Sequence, residues 1–428
     1  MKRKNQSGIT LVALVVTIVV LLILAGVSIN LVLGENGLIT QAKEAREQTK
    51  TAEVNEKTQI DSASDFISET VNNTELPQTN ETKPYMPGNG FMKVEGTNLA
   101  NGLTIQDTDG NQYVWVEVPK TATVYPTAGL NITEFTIDDY TNIENDLHTY
   151  TMTYRKGKST TETSYKDEWY EDTNNTADWY TSEQYTAQKQ KMLKSVYQNG
   201  GFWLSRYEAG LTEVNNRTSH TIPTIAPQSK ANLVPYTYVT RTEAKKLAEM
   251  ITYTKGEKTY TGSLMFGVQW DLVLKFIETK KIATDATIVS KLNSDSKIVG
   301  NYCNSTFTIN RGKYAIISSW ALSNTWNAYN TPTSNYVGEN ANKLAQSSSG
   351  NGILLTTGAV DQNSLINIYD IAGNLYEWTL EYTSDSESPC ADRGGCYSST
   401  GSYCYASFRN NVNTIHSSNL IGFRISLY

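Results

Sequence analysis

Thiols, imidazoles and hydroxyls are the side chains from which nucleophilic and soft-metal chemistry is built, and Cys396, Cys404 and His416 bring them into one C-terminal stretch. The chain of 428 residues has only four cysteines and three histidines, too few for a zinc scaffold. No Ser/His/Asp arrangement and no phosphate-cradling glycine loop surrounds His416, so it reads as a contact residue rather than a catalyst. Cys396 and Cys404 fit either a disulfide or two separate thiols, and spacing does not choose. Around them, Arg393 and Arg424 are suited to tying loops by forked hydrogen bonds, and Trp378 to anchoring a core of irregular loops.

A compositional gap points to binding instead. Arg393 to Leu420 contains no Lys, Glu, Gln, Trp or Met, although these types make up 82 of the 428 residues and about five would be expected there. The varied residues present are those encoded by codons ending in C, including the changes reachable from the Asn codon AAC. This resembles the variable region of proteins diversified by retroelements; the plain alternative is a Ser/Asn/Tyr-rich surface loop. Such a segment tolerates variety only if it lies exposed on a rigid frame. Tyr397, Tyr403, Tyr405 and Phe408 would supply rigid contact area, and Ser398, Asn410, Asn411, Asn413 and His416 adaptable hydrogen bonds, to an external protein or glycan ligand.

The frame is announced by an ordered series: Phe202 to Glu208, Val268-Gln269-Trp270-Asp271, Gly373-Asn374-Leu375-Tyr376-Glu377-Trp378, Arg393-Gly394-Gly395 and Gly422-Phe423-Arg424. Taken together it resembles the formylglycine-generating-enzyme (sulfatase-modifying factor) family over roughly residues 91 to 428. The resemblance implies a variant of the C-type lectin fold, hence an α+β chain. It also implies a calcium ion held by Asn374 and Glu377, with backbone-amide bonding by Glu377 as the alternative; no other cofactor is expected. The family's catalysts use two cysteines to bind copper(I). Cys404 falls at the second position, but Ser399 stands at the first and Cys396 is three residues too early, so oxidase activity is not expected.

Several elements must position these residues. Asn111 to Lys120 reads as a strand opened by the turn Asp107-Thr108-Asp109-Gly110 and closed by Pro119. Arg241 to Ile251, capped by Thr240 or Thr242 ahead of Glu243, and Gln269 to Thr279 read as helices. Gly422 to Tyr428 alternates apolar and polar residues as a closing strand. Residues 133 to 185, rich in Thr, Tyr, Asp and Glu, read as a long surface insertion, and residues 72 to 90, with three prolines, as a linker.

Ahead of the linker the chain changes solvent. No charge occurs from Asn5 to Gly34, and a helix over Ile9 to Leu33 reaches roughly 37 Å, enough for a bilayer core of about 30 Å. Lys2, Arg3 and Lys4 place the N-terminus in the cytoplasm and the rest outside the cell. A signal peptide or plain membrane anchor is one reading. The run Lys2 to Gly8 followed by Ile9-Thr10-Leu11-Val12 also resembles a type IV prepilin signal. That resemblance implies cleavage between Gly8 and Ile9 by a prepilin peptidase, methylation of the new terminus, and a helix continuing through residue 71. Major pilins carry a Glu five residues after the cut; Ala13 stands here, which points to a minor or tip subunit.

A net charge of −7 without a basic patch excludes general nucleic-acid binding. The expected protein is thus a membrane-anchored, then surface- or pilus-located binding subunit. Its partners would be other pilins, the pilus assembly machinery and an external ligand. A formylglycine-type oxidase and a purely structural pilus subunit are the competing functions.

Overall fold

The computed structural model describes residues 14–24, 76–155, 165–174, 177–318, 321–330, 343–345 and 352–428. The chain divides into two units, Met1–Asn72 and Asn73–Tyr428. In the first, residues 14–24 form a helix whose Leu, Ile and Val side chains are exposed, Leu22 at 66%. The rest of the expected helix over 9–71, and the cleavage pair Gly8 and Ile9, lie outside the described residues. Among those residues no helix is long and apolar enough to cross a membrane.

The second unit mixes helices with mostly antiparallel sheet, Tyr376–Thr383 and Ile421–Gly422 pairing in parallel. Its first sheet has five strands in the order Met92–Lys93, Thr104–Gln106, Gln112–Glu117, Gly201–Ser205 and Ser426–Leu427, so the last strand lies at the edge opposite the first and pairs Gly201–Ser205. Gln112–Glu117 is the expected opening strand, and Trp115 sits opposite Trp203 across the pairing. The closing strand is shorter than expected: Ile421–Gly422 and Ser426–Leu427 belong to different sheets, because Arg424 between them turns inward to an ion pair.

Helices start where side chains satisfy their free amides. Thr136 with Asp139, Thr181 with Gln184 and Thr240 with Glu243 form reciprocal caps on helices Ile137–Tyr150, Ser182–Asn199 and Arg241–Glu249. Helix Gly267–Lys281 has only half of such a cap, Gln269 Oε1 accepting from the Phe266 amide at 3.1 Å, because Phe266 has no acceptor to offer in return. Instead the Asp167 carboxylate, far off in sequence, accepts from the amides of Gly267 and Val268 at 2.6 and 2.9 Å. The first eight residues of this helix, and Phe276 and Ile277 beyond them, are buried, which makes it the hub of the core.

The second sheet presents the C-terminal segment. Arg409–Val412, Cys390–Arg393, Tyr376–Thr383 and Ile421–Gly422 lie side by side, with Tyr165–Lys166 also pairing Tyr376–Thr383. Trp378 donates its indole N–H to the Val239 carbonyl at 3.0 Å, the anchoring role its size implied.

Two sequence expectations are corrected. Residues 76–90 do not form a free linker: Leu76, Tyr85 and Met86 are buried, and Trp203 and Trp115 donate to Tyr85 O and Thr82 Oγ1 at 2.7 and 2.8 Å. The described parts of 133–185 form no loose insertion either. They contain helix Ile137–Tyr150 and strand Tyr165–Lys166, and send Ile143, Leu147, Tyr154, Trp179, Tyr180 and Tyr185 into the main core. The physical reason is the same in both: aromatic and isolated apolar side chains find partners across the sheet rather than along the chain. A protein started at Phe91 should therefore melt roughly 10 °C below one started at Asn73, as followed by circular dichroism; equal midpoints would restore the linker.

Candidate functional site

Strand Arg409–Val412 alternates its side chains across the sheet. Arg409 points inward, where its guanidinium meets Asp271 Oδ2 at 2.6 Å and Glu381 Oε1 at 3.0 Å. Arg393, on the neighbouring strand, reaches Asp271 Oδ1 at 2.7 Å and Glu381 Oε2 at 3.4 Å. All four side chains are at most 2% exposed. Burial opposes ionisation of Asp271, but the Arg409 and Arg393 guanidiniums hold its carboxyl below the usual range. The segment is tied again by Trp270, which donates to Ala406 O at 2.9 Å, and by Ser407 N, which donates to Leu292 O at 3.0 Å.

The Arg-Gly-Gly turn needs its glycines. Gly395 has a φ of +81°, and a Cβ there would lie 2.1 Å from Cys404 O. All four cysteines are buried thiols, so Cys396 and Cys404 form no disulfide. Cys404 Sγ accepts from Tyr376 OH at 2.8 Å, and Cys396 Sγ lies 3.5 Å from the Ser399 hydroxyl. Burial pushes the Cys396 thiol up, which favours the protonated form.

The expected contact residues divide. Tyr403 is 59% exposed, Asn413 is exposed, and Tyr405, Asn410, Asn411 and His416 are half-buried. Ile415, not singled out from the sequence, is 63% exposed between Asn413 and His416. Tyr397, Ser398 and Phe408 are corrections. Tyr397 packs with Ile317, Leu354 and Leu375, Ser398 is fully buried, and Phe408 lies under Tyr403 and Tyr405 with ring centroids 6.1 and 6.2 Å away. The exposed positions thus flank strand Arg409–Val412, Tyr403 before it and Asn413 and Ile415 after it. Asn411 donates to Asp385 Oδ2 at 3.2 Å, and Asn174 donates to Thr414 Oγ1 at 2.6 Å, so frame residues hold the loop edges.

Asn374 and Glu377 do not fit a calcium ion. Arg424 donates to both Glu377 oxygens, Nη2 to Oε1 at 2.7 Å and Nε to Oε2 at 3.0 Å. Asn374 Oδ1 accepts from Asn301 Nδ2 and Leu355 N at 2.9 and 3.0 Å, while its Nδ2 donates to Glu208 Oε2 at 2.6 Å. A cation would meet a guanidinium and find the amide oxygen already engaged. Burial and the neighbouring carboxylates of Asp370 and Glu377 push Glu208 well above the carboxylate range.

Sequence reasoning missed Glu381, Arg409 and Asp392. Arg409 carried a signal, being one of two Arg in a stretch without Lys or Glu. Asp392, opposite Asn410 in the sheet, is fully buried; Asn410 Nδ2 donates to its Oδ2 at 3.2 Å and its Oδ1 has no partner among the described residues.

Residues 310–427 match the sulfatase-modifying factor enzyme 1-like domain family. The match spans Gly373 to Trp378, Arg393-Gly394-Gly395 and Gly422-Phe423-Arg424, whereas Phe202 to Glu208 and Val268 to Asp271 lie outside it. Among the similar solved structures, two match at 14% identity over 53% of this chain. One is the crystal structure of CarF, with 85% of that chain covered and a TM-score of 0.31. The other is Treponema denticola variable protein 1, with 84% covered and a TM-score of 0.25. No curated protein matches the chain.

Burial pushes the Asp392 carboxyl up to about 7, against the opposing Asn410 hydrogen bond. An unfolded chain releases that proton near pH 4, so the proton's contribution to stability is full below pH 4 and is lost as pH rises through 7. Asp392→Asn should remove this dependence. Between pH 5 and pH 8, urea unfolding of the natural protein should weaken by on the order of 3 kcal/mol more than that of the variant. Parallel losses would show that Asp392 ionises normally.

Proposed function

We propose that this chain is a surface-displayed ligand-binding protein, a minor or tip pilin whose C-terminal domain presents a diversified contact surface. The observation that carries the reading is the contrast inside one segment. Arg393 and Arg409 are locked in buried ion pairs, while Tyr403, Asn413 and Ile415 between and beyond them stand exposed. The missing Lys, Glu, Gln, Trp and Met fit codon-level diversification of that surface, and the family match over 310–427 is consistent with a lectin-like frame.

The stem supports display at the cell surface. Residues 14–24 expose Leu, Ile and Val along a helix, apolar surface that demands a lipid or protein neighbour. In this reading prepilin peptidase cuts between Gly8 and Ile9, the apolar helix passes from the membrane into a filament of other pilins through the pilus assembly machinery, and the domain faces outward to an external protein or glycan.

Filaments or cells displaying the natural protein should be captured by at least one component of a glycan and host-protein array. The combined Tyr403→Ala, Tyr405→Ala and Asn413→Ala variant should lose at least about tenfold in capture with an unchanged melting temperature. Undiminished capture by this variant would remove the site.

A further inference from the structure

Helix Ile137–Tyr150 carries Glu144 and His148 one turn apart on a single face, and Asp167 approaches them from the loop after strand Tyr165–Lys166. One ligating atom from each lies within 4.8 Å of the other two. We propose that Glu144, His148 and Asp167 bind a divalent first-row transition metal of the zinc type. One imidazole and two carboxylates form a donor set of the borderline kind such ions take. Bonds of about 2.0–2.2 Å place tetrahedral ligand atoms about 3.4 Å apart, so side-chain rotations that close the cluster by about 1 Å complete the site and leave a fourth position for water.

A second observation separates this cluster from an ordinary ion pair. His148 Nε2 is buried and bonds nothing among the described residues. A buried ring nitrogen without a partner, on a histidine grouped with two carboxylates, is the kind of donor a metal would satisfy. Asp167 is pre-aimed: the Gly267 and Val268 amides donate to its two oxygens at 2.6 and 2.9 Å, each oxygen keeping a lone pair, as supporting bonds do at metal sites.

Lys189 is the cation that the cluster holds instead. Its ammonium donates to Glu144 Oε2 and Oε1 at 2.8 and 3.1 Å and to the Asp167 carbonyl at 2.8 Å. Its side chain is 19% exposed, so it has a route to solvent and competes with the metal rather than forbidding it. Bound there, the ion would fasten helix Ile137–Tyr150 to the start of helix Gly267–Lys281, the helix whose Asp271 holds Arg393 and Arg409. The cluster lies outside residues 310–427 and is independent of the proposed contact surface.

The test uses the full chain in detergent, stripped with chelator and dialysed against micromolar zinc, with bound metal read by atomic emission. The natural protein should take up about one zinc per chain and melt higher with it. His148→Gln should bind at least about tenfold more weakly, and Lys189→Met about tenfold more tightly because the competing ammonium is gone. Circular dichroism confirms that each variant is folded. Equal uptake by the natural protein and folded His148→Gln, or no uptake by Lys189→Met, would overturn the site.

Discussion

Everything presented by the C-terminal segment depends on two guanidiniums sharing two carboxylates inside the protein. Arg393 and Arg409 leave water completely, a transfer that is unfavourable unless every donor finds an acceptor. Asp271 and Glu381 supply the opposite charges, and the carbonyls of Tyr154, Arg155, Ser407 and Phe408 accept further bonds. Removing one member strands a buried charge, so the network is more demanding of identity than a hydrophobic contact would be. Its members come from a helix, from neighbouring strands of the second sheet and from the segment itself, and the segment therefore has a fixed register on its frame.

A second pair fixes the far end. Arg424 grips Glu377 and also donates to Ser205 O and Tyr369 O, at 3.1 and 2.8 Å. The first and second sheets thus meet at one side chain. Between the two anchors the backbone is held by turns and by frame residues, leaving side chains such as Tyr403 and Ile415 largely open to solvent. Rigidity beneath and freedom above are what a contact surface needs if ordering costs are to be met before a ligand arrives.

The legible parts of the sequence were those whose signals are local. Thr240 with Glu243 marks the start of helix Arg241–Glu249, and the dense apolar run from Trp270 to Ile277 marks a buried helix. The Arg and Gly motifs marked loop ties, and Arg424 proved to be one. What stayed hidden depends on distant partners. Asp167 caps a helix a hundred residues away, so neither segment alone reveals it. Tyrosine was the most ambiguous letter: Tyr397 and Tyr403 lie in the same stretch, yet one is sealed beside Leu354 and Leu375 and the other faces solvent. The same ambiguity hid the core contributions of Tyr85, Tyr154 and Tyr185 behind a polar-looking composition.

The most direct measurement is a saturation scan of positions 394 to 420 in the displayed protein, sorted for folded molecules by protease resistance. The ion-pair frame predicts that Tyr403, Asn413 and Ile415 accept most side chains, Lys and Glu included, whereas Gly395, Ser407 and Arg409 accept almost none. Tolerance at Arg409 as broad as at Tyr403 would contradict a segment pinned by buried charge.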